Sequence, residues 1–337
     1  MALRIGQKLL APGKLPHPLL KKLLARLAPK NPEVLLGPSV GVDAAVVRLG
    51  GKVIAVTSDP VTLAGDLAAY YCVHVNANDL AVMGAVPKYM VVDCLCPPVP
   101  AGVISKMARE LKRFTEPLGI AVIGGHTEIT RAVNTPLLVA TMFGPLLSRK
   151  VISAANARPG DLIVMTKTAG LEATAIIARE KSGPLVKHGF TLPQIKRMQN
   201  LLFRPGISIM REAGHALAAG CHAMHDATEG GILTALWEFA QAAKVRVEVD
   251  TGKIAIRPET VRACQIWNIN PLRVISSGAL LVTIPPVQIS SLLKNLDRAK
   301  IPAAIIGTVK KGKPCLIDTD TGKSIPPSED EIVKIYA

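Results

Sequence analysis

The chain has 337 residues, 49% of them hydrophobic and only 3% aromatic, with a formal net charge of +15. This is ample for buried cores, excludes a largely disordered chain, and leaves Val, Ile, Leu and Ala to fill the interior. The basic residues are dispersed with no interleaved aromatics to stack on bases, so they fit an enzyme with anionic substrates better than a nucleic-acid surface.

In chain order, the first predicted element is a helix over 17–30. Leu19, Leu20, Leu23, Leu24 and Leu27 form one stripe, with Lys21, Lys22 and Arg26 elsewhere on the wheel. Such a stripe reads as a core or subunit contact, with a membrane-surface helix as the alternative. Strands are predicted at 44–49 and 53–57, then a long helix over 65–83 that stops at Gly84. A strand at 89–95, a helix over 104–118 and strands at 120–123 and 137–143 follow. The stretch 148–160 is polar and leads into the turn Arg158-Pro159-Gly160-Asp161.

The second half is predicted to hold strands at 162–165, 221–224, 245–249, 279–284 and 303–309. Helices are predicted at 171–179, 207–219 and 230–242. The expected organisation is a helical segment over 1–35, a β-rich domain over 36–148 and an α/β domain over 149–337. Mixed strands and helices in both halves make the class α/β or α+β. Every apolar run is cut well short of a membrane span, so no membrane partner is expected. The six scattered cysteines argue for reduced thiols in the cytoplasm and against a disulfide framework. Cys94 and Cys96 share one face of a strand, too close for a relaxed disulfide.

Four acidic or glycine-rich motifs carry the chemistry. Gly37-Pro38-Ser39-Val40-Gly41-Val42-Asp43-Ala44-Ala45 brings a carboxylate into a strand from a flexible loop with two glycines; it is a Mg²⁺ ligand beside phosphates or an ordinary turn. Thr57-Ser58-Asp59-Pro60 ends a strand, where acidic residues face ligand crevices or form an Asx turn. Asn78 and Asp79 sit in an otherwise apolar helix, where a charge is costly unless paired or bound to metal. Gly124-Gly125-His126-Thr127-Glu128 follows a strand and suits close approach to a phosphate chain; His126 is a ligand, a base, a hydrogen-bond donor or a turn residue. The most informative stretch is His225-Asp226-Ala227-Thr228-Glu229-Gly230-Gly231, which sets an acid and a hydroxyl before a glycine-opened helix whose free N–H groups can hold phosphate and metal.

In order and spacing these motifs resemble the aminoimidazole ribonucleotide (AIR) synthetase superfamily, over nearly the whole chain. That superfamily holds the purine cyclo-ligase, formylglycinamidine ribonucleotide synthetase, selenophosphate synthetase, thiamine-monophosphate kinase and a hydrogenase-maturation protein. The wording Asn-Asp-Leu-Ala-x-Met-Gly-Ala and Asp-x-Thr-x-Gly-Gly matches the hydrogenase-maturation type. The resemblance implies a homodimer whose first-half strands build a shared barrel, with Mg-ATP in a cleft beside it and an ATP-dependent phosphoryl transfer that activates an amide or other small acceptor.

By resemblance Asp43, Asp59, Asp79 and Asp226 hold metal. Asp43, Asn78, Gly124, Gly125, Thr127, Thr228 and Gly230 line the nucleotide, and His126 and Asp226 act in catalysis. The last cysteine is Cys315, so the acceptor is expected to be a diffusible molecule or another protein and not a terminal cysteine of this chain. The alternative is a non-catalytic ATP-binding or scaffold subunit of the same fold, associated with RNA through its basic charge.

Overall fold

The computed structural model describes residues 15–62, 65–147 and 151–336. The boundary expected at 148/149 and the terminal residue Ala337 lie outside the described residues, as does the start of the N-terminal segment.

The elements of the first half are α1 (His17–Leu27), β1 (Val34–Leu36), β2 (Ala45–Leu49), β3 (Lys52–Val61), α2 (Ala68–Val82), β4 (Tyr89–Cys96), α3 (Ala101–Thr115), β5 (Ala121–Gly124), β6 (Thr127–Ile129) and β7 (Leu137–Pro145). Their strands form one sheet in the order β1-β2-β3-β7-β4-β5, with β6 also pairing with β4. The β2–β3 hairpin turns on Gly50 and Gly51, both at positive φ, the geometry a two-residue loop needs to match strand twist.

One face of this sheet packs on α2. Ala55 and Thr57 of β3 and Leu138, Ala140 and Met142 of β7 point that way and are buried. The opposite face carries Val56, Val139, Phe143, Tyr89, Val91 and Leu95, all only half-buried. β5 and β6 are exposed along their whole length, including Val122, Ile123 and Ile129.

The second half runs β8 (Leu162–Thr166), α4 (Leu171–Glu180), α5 (Ser182–Lys187), α6 (Leu192–Gln199), α7 (Met210–Ala218), β9 (Ala223–Asp226), α8 (Gly231–Ala243), β10 (Arg246–Val249), α9 (Pro258–Ile266), β11 (Leu280–Ile284), α10 (Ile289–Arg298), β12 (Ala303–Lys310) and β13 (Cys315–Asp318). The sheet order is β13-β10-β12-β8-β11-β9. Both faces of this sheet are covered. Val164, Leu280, Val282 and Ile284 join the core shared with the first half; Ile163, Met165, Leu281 and Val247 face the core under α8. Strands buried on both faces read as continuous apolar runs, which explains why β8 and β11 were legible.

Several elements depart from the sequence expectation. α2 begins at Ala68 after a 3₁₀ turn, and α7 begins at Met210, three residues after the apolar pattern starts. β9 lies over Ala223–Asp226, two residues beyond the predicted strand, so Asp226 is its last residue. β1, β6, β13, α5, α6, α9 and α10 had no predicted counterpart. α1 is a helix, but none of its residues is buried; Leu19, Leu23 and Leu27 are exposed, and it meets the body where His17 packs on Trp237 of α8. Cys94 and Cys96 remain free thiols, their sulfurs 3.5 Å apart.

Candidate functional site

The site forms where α2 passes between the two sheets. α2 is apolar nearly all round, which is why it is central and not superficial. It ends where the Ala85 N–H returns to the Leu80 carbonyl at 3.0 Å. Three of its polar residues, Asn76, Asn78 and Asp79, are buried toward its C-terminal end, each with a defined task.

Asn76 accepts the Asp59 backbone N–H at 3.2 Å and donates to the Cys72 carbonyl at 2.9 Å. Asn78 donates to the Ile207 carbonyl at 2.9 Å and accepts from the Ile209 N–H at 3.0 Å. Its amide therefore fastens α2 to the loop before α7. Asp79 takes the third position, buried, with its Oδ2 2.9 Å from Thr57 Oγ1. That hydroxyl is also 3.2 Å from the Asp43 carbonyl oxygen, and its single proton serves one of the two at a time.

Four carboxylates expected from separate motifs converge here. Burial holds the Asp79 carboxyl well above the usual carboxylate range. A hydrogen bond with the Asp59 carboxyl and the charges of Asp226, Asp59 and Asp43 push it the same way. The Asp59 and Asp79 carboxyls thus share a hydrogen bond, and the charges of Asp226 and Asp43 act on the same group. Asp43, His225 and Asp226 also bring ligand atoms within 4.8 Å of one another.

His225 was not among the expected site residues, although it opens the most informative motif. Its Nδ1 is 2.9 Å from Asp43 Oδ2 and its Nε2 is 2.8 Å from Glu238 Oε2. Burial pushes the imidazole down, but the two carboxylates outweigh it and hold it well above its ordinary value. A doubly bonded imidazolium has no lone pair to give a metal, so we read His225 as the residue that orients Asp43 and not as a ligand. Glu238, a full two turns into α8, carried no motif signal at all.

The remaining expected residues lie elsewhere. In cross-strand register Asp59 sits opposite Ala140, Ala140 opposite Val92, and Val92 beside Gly125. Three strand spacings, about 14 Å, thus separate Asp59 from the Gly124–Thr127 turn within one chain. Gly125 has φ +146 and an added Cβ would fall 1.8 Å from the Val92 carbonyl oxygen, so the glycine is needed for sheet packing. The His126 N–H donates to Asp93 Oδ1 at 2.9 Å, while its exposed ring lies 3.4 Å from Glu128. Thr228 supplies its carbonyl to the Gly231 N–H at 3.1 Å as α8 opens. The Gly230 N–H donates to Asp330 Oδ2 at 2.8 Å, so a carboxylate from the C-terminal segment holds the place expected for a phosphate.

These features define the class. Residues 41–146 match the N-terminal domain of the AIR synthase related proteins, and residues 158–316 match their C-terminal domain. The chain belongs to the AIR synthase related protein family. It is 28% identical over 325 residues to selenide, water dikinase of Myxococcus xanthus, covering 85% of this chain and 87% of that one. It is 26% identical over 277 residues to carbamoyl dehydratase HypE of Rhizobium leguminosarum bv. viciae, covering 77% and 74%. Its fold matches a crystal structure of hydrogenase maturation protein HypE in complex with ATP, with a TM-score of 0.66, 20% identity and coverage of 96% and 98%. Among the described residues no helix is long and apolar enough to cross a membrane.

Proposed function

We propose that the chain is an ATP- and Mg²⁺-dependent phosphoryl-transfer enzyme that activates an amide or another small acceptor through a phosphorylated intermediate. The carrying observation is the convergence of Asp43, Asp59, Asp79 and Asp226 around the buried end of α2, where burial, the Asp59 hydrogen bond and the neighbouring charges together raise Asp79. Four acids so placed cost stability unless a cation offsets them. The donor set is all oxygen, the chemistry that hard divalent cations select, and so fits Mg²⁺. The relatives named for dikinase and dehydratase activities, and the ATP bound to the HypE neighbour, support the nucleotide.

In this reading Asp59, Asp79 and Asp226 hold the cation with one oxygen of Asp43, whose other oxygen His225 fixes. Bound Mg²⁺ would supply charge neutralisation for the phosphates. Glu238 holds the far side of His225, so the imidazolium cannot swing away from Asp43. Thr57 positions Asp79. The turn at Gly124–Thr127, with His126, enters only if a second copy brings it to this cleft; the half-buried apolar face of the first sheet is the surface through which such a homodimer would form.

Calorimetric titration of ATP with Mg²⁺ and with EDTA tests the cation. We expect binding that needs Mg²⁺ and that Asp79→Asn weakens at least about tenfold. Equal affinity in both buffers, or unchanged affinity in the variant, would remove the metal role.

A further inference from the structure

Glu172 is a buried acid outside the carboxylate cluster. It lies in the first turn of α4 and is 4% exposed. Its Oε2 is buried without a hydrogen-bond partner. An unpartnered buried carboxyl oxygen is costly and calls for an explanation, of which a bound ligand is one.

Its position follows from the sheet. β8 and β9 both pair antiparallel with β11, so they run parallel to one another and end at the same edge. β9 ends there in Asp226. β8 ends there in Thr166, which leads to Glu172, and Ser276 and Ser277 enter β11 from that edge. The Ser276 N–H reaches the Thr228 carbonyl at 3.4 Å. The Glu172 carboxyl accepts hydrogen bonds from the Ser277 hydroxyl, the Ser277 backbone N–H and the Tyr71 hydroxyl of α2, while the Asp330 carboxyl of the C-terminal segment acts on it by its charge. Burial and Asp330 raise the Glu172 carboxyl and the two hydroxyls lower it, leaving it at about 7. The surroundings are hydroxyls and acids, which suit a ligand that donates hydrogen bonds and repel an anion.

We propose that Glu172 receives the proton of the phosphoryl acceptor, and that this acceptor is a neutral or cationic group bearing an N–H or O–H. The inference rests on the phosphoryl-transfer reading above. In the step, the acceptor's X–H bond breaks and its proton passes to Glu172 Oε2. The freed pair bonds to the γ-phosphorus of ATP, and the bridging P–O bond breaks with its pair leaving on ADP. The Arg179–Asp66 pair at 3.7 Å, which ties α4 to the turn before α2, is half solvated and holds it only weakly.

The test uses the full chain with Mg-ATP and two acceptors, water and formamide, and reads phosphate release from pH 5 to 9. We expect kcat to fall as pH drops through about 7, because the base must be ionised. Glu172→Gln should lower kcat about 10²-fold, leave KM for ATP within twofold and abolish the acid limb. Sodium formate should partly restore Glu172→Ala, which a purely structural role would not allow. A Glu172→Gln enzyme within threefold of the parent, or one that keeps the acid limb, overturns the inference and leaves phosphoryl transfer standing. A parent enzyme that binds no Mg-ATP by calorimetry overturns both.

Discussion

The two sheets solve burial in different ways. In the second, β11 is buried at all five positions and β9 at all four; helices cover both faces. In the first, α2 covers one face, the other is half-buried, and β5 and β6 are exposed throughout. The covered sheet sets Asp226 at the end of β9, with Ser277 entering β11 and Glu172 following β8 at the same edge. The half-covered sheet provides Asp59 and a face that stays only half-buried. Full and partial burial are thus divided between the halves, and α2 joins them.

The comparison breaks most visibly at the charge cluster. Asp79→Asn should cut Mg-dependent phosphate release at least about 100-fold while raising the metal-free melting temperature, because it removes a buried charge that its neighbours repel. Activity within tenfold of the parent would separate the acids from function. The pH dependence of stability sharpens the same point. Asp79, Glu172 and Asp330 are all held above ordinary carboxyl values, Glu172 at about 7 and Asp330 at about 6. A carboxyl raised on folding stabilises fully below its unfolded value and loses that contribution as pH rises through its folded one. The metal-free melting temperature should therefore fall from pH 5 to pH 8, and Mg²⁺ should reduce the fall. Glu172→Gln should recover about 3 kcal/mol at pH 8; denaturant titration at both pH values measures it.

Next in size is the join. Asn78→Ala leaves a buried carbonyl and a buried N–H of the 207–209 loop unpaired, and should cost about 2–4 kcal/mol in denaturant unfolding. If the proposed homodimer forms through the half-covered sheet, Val139→Glu should give a monomer by light scattering where the parent gives a dimer, with unfolding free energy changed by less than about 1 kcal/mol. The smallest effect belongs to α1, where Leu23→Gln should change stability by no more than about 0.5 kcal/mol, since the side chain is exposed.

Much of this was legible in the chain. The apolar runs of β8 and β11 and the long pattern of α2 announced themselves through burial on all sides. The motifs around Asp43, Asp59, Asp79 and Asp226 placed acids where a charge needs a reason, although Asp59, expected at a strand end, lies inside β3, which pairs with β7 as far as Val61. The short polar helices α5, α6 and α9 and the three-residue strands β1 and β6 were not legible, because so few residues carry no period. α10 was missed although Leu292 and Leu296 are buried on one face.

What the sequence determined by itself was the inventory: two mixed halves, a family pattern and four costly carboxylates. Only the tertiary structure decided which of them meet. It drew Asp43 to His225 across 182 positions of sequence, committed Asn78 to the backbone of the 207–209 loop, and set Asp330 on the Gly230 amide. It also left His126 about three strand spacings from Asp59. Local sequence fixes periodicity and turn chemistry, which act over a few residues. Contacts between distant segments depend on how sheets and helices pack, and that is set by the sum of burial over the whole chain.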